Sequence, residues 1–148
     1  MQSVVFARCL LPLLIIISLN AWSTAGRILS FEGDARVNGE PATAETLLHR
    51  EDTVSTASGA TIKIILSDNS VLDLDEDSEI LISDYIFDPS DPQANTSKVD
   101  ILAGTLRYVS GRIAKDDPQK ISFTADSSTI DARGTFINIS VCTPDGCE

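Results

Sequence analysis

The sequence predicts an all-β domain of short antiparallel strands, a sandwich or roll that can include some β-helical winding. Two observations carry this. Segments that alternate apolar and polar residues recur along the chain, as in Thr61-Ile62-Lys63-Ile64-Ile65-Leu66, and turn-forming residues separate them at short intervals. Beyond the first 25 residues, no apolar pattern of helical period extends past a single turn.

Taken in order, strands are expected at 28–31 and 35–38, the second running into Asn38-Gly39. Residues 42–48 are the only stretch suited to a helical turn, with Pro41 at its start. Strands follow at 61–66, 71–74 and 80–83, punctuated by Ser58-Gly59 and Asp68-Asn69-Ser70. The polar run 88–97, with Pro89 and Pro92, reads as an exposed, mobile loop. Two further strands, 99–102 and 105–109, are separated by Ala103-Gly104; the last two, 121–124 and 136–141, lie beyond Ser110-Gly111 and Asp116-Asp117-Pro118.

The first 25 residues read as a signal peptide: Arg8, then an apolar run from Cys9 to Leu19, then Ser23 and Ala25 at signal-peptidase spacing. Cleavage is expected between Ala25 and Gly26. The run is about half the ~20 apolar residues a membrane span needs, so no stable membrane insertion is expected after cleavage. Arg8 stands where lipidation at Cys9 would require a small residue. Removing 25 of the 148 residues leaves 123, residues 26–148, one domain with one core. The expected location is the periplasm or the extracellular medium.

Charge narrows the function. Of 11 basic residues only Arg8 lies in the excised part and none of the 22 acids does, leaving ten against 22, or −12. Such a chain is repelled by phosphate backbones and anionic lipid, which argues against nucleic-acid and electrostatic membrane binding. Export leaves Cys142 and Cys147 in a compartment where disulfides persist. Thr143-Pro144-Asp145-Gly146 between them has the pattern of a type I turn. That turn would set the cysteines across a hairpin at ~4.5 to 5.5 Å between Cα atoms, within disulfide range, so a Cys142–Cys147 disulfide stapling a terminal hairpin is expected.

Catalytic and metal chemistry find little footing. His49 is the sole imidazole and no serine lies in a nucleophile motif, so no catalytic residues are assigned and no enzyme activity is expected. The stretch 73–79 carries five acids in seven positions, and Asp73, Asp75, Asp77 and Glu79 would share one face of an extended strand. It lacks the glycine and closing glutamate of an EF-hand, and same-side carboxylates on a strand stand ~6.6 to 7 Å apart, so a solvated edge or turn is the stronger reading over calcium. No cofactor or metal ligand is assigned. Arg133-Gly134-Thr135, framed by two alternating segments, reads mainly as structural: Gly134 for a bend, Arg133 paired with a carboxylate such as Asp131, Thr135 resuming the strand.

Several weak motifs in a fixed order give the chain a family likeness. They are Gly33-Asp-Ala-Arg-Val-Asn-Gly39, Leu48-His-Arg-Glu-Asp-Thr-Val-Ser-Thr56, Ser58-Gly-Ala-Thr-Ile-Lys-Ile-Ile-Leu-Ser-Asp68, Ser70-Val-Leu-Asp-Leu74, Ser78-Glu-Ile-Leu-Ile82, Leu102-Ala-Gly-Thr-Leu-Arg107 and Arg133-Gly134-Thr135. Over about residues 33–141 the chain resembles the FecR domain. The resemblance implies an extracytoplasmic β domain that senses or binds, in its best-known setting relaying transporter occupancy to a cytoplasmic sigma factor. Only eight residues precede the apolar run, so a free-standing exported protein without the cytoplasmic anti-sigma segment is expected. The functional expectation is a non-enzymatic binding or sensing module acting through protein–protein contacts in the cell envelope, with another envelope protein as partner and a role in signal transduction. The alternative is a secreted structural or envelope module that binds glycan or calcium.

Overall fold

The structure, a computed structural model, describes residues 23–141. The apolar run 9–19, expected to belong to a signal peptide, and the Cys142 and Cys147 pair lie outside the described residues.

The chain forms one curled, mostly antiparallel sheet with almost no helix, open as a half-barrel. Its strands are β1 Gly26–Glu32, β2 Ala35–Val37, β3 Glu40–Pro41, β4 Leu47–Leu48, β5 Thr53–Thr56, β6 Thr61–Leu66 and β7 Val71–Leu74. They continue with β8 Glu79–Ile86, β9 Thr96–Val109, β10 Ile121–Ala125, β11 Ser128–Asp131 and β12 Phe136–Val141. The strand order is β3-β2-β5-β8-β9-β7-β6-β1-β4, with β10 and β12 also on β9, and β11 on β10.

The central β9 explains the shape. It is a single strand of 14 residues, not the two strands expected on either side of Ala103-Gly104. Its first half pairs with β8 and, in parallel, with β10, whereas its second half pairs with β7 and β12. Gly104, at φ 73°, bends the strand where a side chain would have ended it, so β9 passes from one half of the sheet to the other. The break between β7 and β8 falls opposite this bend, with Glu79 facing Ala103 and Leu74 facing Leu106. Serine and threonine hydroxyls close that corner. Thr56 Oγ1 donates to the Asp75 carbonyl at 2.6 Å, and Thr105 N–H donates to Ser78 Oγ at 2.9 Å.

The core lies inside the curl, filled by one face of each strand. Ile62, Ile64 and Leu66 on β6, Leu72 and Leu74 on β7, Ile80 and Ile82 on β8, and Val99, Ile101 and Leu106 on β9 are buried. These are the period-2 positions read from the sequence, because alternate side chains of a strand share a face. Tyr108 and Phe123 meet edge to face at 5.0 Å between ring centres and tie the second half of β9 to β10.

Other departures are local. Residues 42–48 form no helix; Thr46 N–H bonds back to Thr43 in a turn, and Leu47 and Leu48 pair with β1. A five-residue helix, α1 Arg112–Asp116, fills the crossover between β9 and β10, where only turns were expected. The acids of 73–79 do not share a strand face, because β7 ends at Leu74 and Asp77 turns the chain at φ 50°. The loop after β8 is shorter than expected, as Thr96 and Ser97 belong to β9. Lys120 Nζ holds it by bonding the Pro92 and Gln93 carbonyls, and buried Asn95 accepts the Asp88 N–H at 2.6 Å.

The expected cleavage point falls in ordered structure. Ala25 is buried, donates its N–H to the Leu48 carbonyl at 2.7 Å and accepts from Ser67 N–H at 2.9 Å, while Gly26 opens β1. A mature chain starting at Gly26 would fold without these two bonds.

Candidate functional site

Among the described residues β12 pairs only with β9, so its other edge and its outer face are the surface to follow. Cross-strand register sets the side chains of that face in rows. Leu47, Arg27, Ile65, Val71, Val109 and Phe136 stand opposite one another in sequence across β4, β1, β6, β7, β9 and β12. Leu47, Val109 and Phe136 are 53%, 40% and 61% exposed, so the row faces solvent and is apolar except for the exposed Arg27.

A polar row runs beside it: Ser30, Lys63, Asp73, Arg107 and Asn138. Charges alternate along this row, and Lys63 lies 3.5 Å from Asp73 while Arg107 Nη2 reaches Asp75 at 2.6 Å. Such half-exposed pairs contribute at most about 1 kcal/mol each, and they order the face more than they stabilise it. A groove of ≈ 350 Å³ lies over the row, with Phe31 and Glu32 at its margin.

Arg133, Gly134 and Thr135 form the loop that leads from β11 into β12. Ala132 is buried beside them, while all three are exposed. The Arg133 guanidinium makes no hydrogen bond or ion pair with a described residue, so the internal pairing with Asp131 expected from the sequence is absent. The Thr135 carbonyl accepts the Ser110 N–H at 2.9 Å just before β12 begins. A Cβ at Gly134 would meet little, though φ 152° favours glycine there.

Beneath this surface lies a cluster that the sequence reading passed over as the turn Asp68-Asn69-Ser70. Asp68 is fully buried, and its Oδ1 accepts from Ser70 Oγ at 2.6 Å and from Tyr85 Oη at 3.2 Å. Its Oδ2 accepts from Ile113 N–H at 3.2 Å, and its carbonyl accepts from Arg112 N–H at 2.8 Å. One acid thus joins the β6–β7 turn, β8 and the start of α1. The signal for it in the sequence was a turn acid followed two residues later by a serine, a pattern too common to single out.

Burial raises both tyrosines of the chain, and the Asp68 charge adds to it: Tyr85 lies far above the ordinary phenol range and Tyr108 is pushed up to about 12. An acid whose folded pKa is raised lends stability that is fully present below its unfolded pKa, about 10 for tyrosine, and is lost as pH rises through the folded value. Stability should therefore fall between about pH 10 and 12, at up to about 1.4 kcal/mol per pH unit for each tyrosine. Ultraviolet titration should show tyrosinate forming only together with unfolding. An ordinary phenol titration near pH 10 in the folded protein would contradict the burial described.

His49 accompanies Asp52, whose Oδ2 accepts the His49 backbone N–H at 2.7 Å. Among the described residues no three His, Cys, Asp or Glu side chains gather to hold a metal ion, and no helix is long and apolar enough to cross a membrane.

The family model described as FecR protein matches residues 52–146, well over half of the chain. No curated protein and no solved structure matches.

Proposed function

The chain belongs to the FecR family, and from that premise we propose that it is a non-enzymatic binding and sensing module working by protein–protein contact in the cell envelope. The family match over residues 52–146 carries the reading, since that span covers β5 to β12 and with them the β6, β7, β9 and β12 part of the outer face and the β12 edge. The apolar run 9–19 and the Ser23 and Ala25 positions support export to the periplasm or beyond. An excess of 22 acids over 11 basic residues favours a basic protein partner and disfavours nucleic acid. The contact would feed signal transduction, with the partner's state as the signal.

Affinity capture from cell-envelope extract, with the folded mature chain as bait, tests this. It should enrich a specific envelope protein over heat-unfolded bait. Equal recovery on both baits would count against the reading. A second reading, an envelope module that binds glycan, is favoured by the groove over Lys63, Asp73, Asp75 and Arg107 with Phe31 at its side.

A further inference from the structure

We infer that the edge of β12 left unpaired among the described residues is a strand-addition site for an extended, basic segment of the partner protein, apolar at every second position. The inference rests on the protein–protein reading above and gives that contact a place and a chemistry.

The first observation is how the sheet ends. Native sheets blunt exposed edges with short strands, prolines, bulges or charges, because unpaired N–H and C=O groups otherwise recruit further strands. The other edges among the described residues follow that practice, and the part of β8 beyond Ile82 that lacks a partner opposite β9 carries Asp84. β3 is two residues long and contains Pro41, β4 is two residues long, and β11 is four residues ending in Asp131. The free part of β1 is bulged at Leu29 and ends in Glu32. By contrast, β12 is six residues, Phe-Ile-Asn-Ile-Ser-Val, with no charge, proline or glycine.

The second observation is that the core is incompletely covered on this side. Among the partly buried apolar residues packed against it are Ala125, Ile130, Ile137 and Val141, on β10, β11 and β12. Residues of an added strand that share the face of Ile137 and Val141 would cover this open margin, whereas their neighbours would face solvent.

Register identifies the groups that receive the strand. Ser110 N–H bonds the Thr135 carbonyl, and the pairing continues without a shift through β12. In an antiparallel ladder alternate residues face the partner strand, so the backbone groups of Ile137, Ile139 and Val141 face β9, and those of Phe136, Asn138 and Ser140 face outward. Charge supplies the remaining part of the partner's chemistry. A chain with 22 acids and 11 basic residues attracts a cationic segment, and nothing on β12 opposes one.

The test uses the intact mature protein and synthetic blocked peptides of about eight residues, enough to span β12 with a margin. One alternates Val and Lys, one alternates Val and Glu, and one is the Val–Lys peptide with a central proline. The Val–Lys peptide should bind saturably and protect the amides of Phe136, Asn138 and Ser140 from hydrogen exchange, leaving Ile137 and Ile139 unchanged. The other two peptides should bind at least about tenfold more weakly, as should Asn138→Pro, which removes an outward donor without touching the β9 ladder. Asn138→Lys, which keeps the backbone intact, should also weaken Val–Lys binding.

Protection elsewhere, or equal binding of the Val–Glu peptide, would overturn the inference. So would a concentration-dependent dimer through this edge, which would make the occupant a second copy. If envelope capture enriches a partner equally on wild-type and Asn138→Pro bait, the edge is wrong and the functional reading stands. If the peptide binds as described but capture enriches nothing, the functional reading falls and the edge stands.

Discussion

Gly104→Ala should abolish or nearly abolish folding, with a loss of about 3 kcal/mol or more in urea denaturation. Two independent penalties meet at this residue. Its φ of 73° is strained for any residue with a Cβ, and a Cβ built there would lie 2.6 Å from Ser78 Cα and 2.7 Å from the Asp77 carbonyl. Neither neighbour can move cheaply. Ser78 is buried, and its N–H donates to Thr56 Oγ1 at 3.0 Å while its Oγ accepts from Thr105 N–H, so displacing it breaks the corner between β7 and β8. Because the central strand turns at this corner, the damage would reach both halves of the sheet. A variant within about 1 kcal/mol of wild type would show that β9 does not turn through Gly104 as described.

Asp68→Ala should cost about 3 to 5 kcal/mol. The substitution leaves the Ser70 hydroxyl, the Tyr85 hydroxyl and the Ile113 N–H without their acceptor in a site closed to water. Asp68→Asn retains the shape but turns two donors toward others, and should recover only part of the loss, to about 2 kcal/mol. Measured by denaturant unfolding, Ala should therefore be worse than Asn and both worse than wild type. If both variants are neutral, the carboxylate is not the acceptor that joins the β6–β7 turn, β8 and α1. Tight packing sharpens the expectation, since a Cβ at Gly111 would come within 2.6 Å of both the Asp68 carbonyl and its Oδ2.

Much of the framework was legible before any coordinates. Strands β6, β7 and β12 begin and end where alternation and the flanking turns placed them. Asn38-Gly39 makes a tight hairpin between β2 and β3, with φ of 51° and 82°. The misses share a physical origin. Ala103-Gly104 looked like a turn because glycine permits both a turn and a bent strand, and only the partners on each side of β9 choose between them. Residues 42–48 looked helical because local propensity is weak against pairing with β1. Strands β3, β4 and β11 have two to four residues, too few for a period to register.

The candidate surface was legible only in outline. Arg133 was assigned an internal partner because an acid two residues earlier would share its strand face, but β11 ends at Asp131 and the arginine lies in the exposed loop. Phe136 and Val109 were visible as strand residues, yet the alternation of β12 alone does not say that the phenylalanine faces outward beside Val109.

Alternation and turn chemistry were enough to establish an all-β domain and most of its inward residues, because a strand's two faces are written at a spacing of two. Which strands neighbour one another, where the sheet curls and which edge stays open depend on pairing between residues far apart in the chain. Local sequence carries no record of that choice, so the outward row from Leu47 to Phe136, the buried Asp68 and the uncharged edge of β12 emerged only when the strands were set side by side.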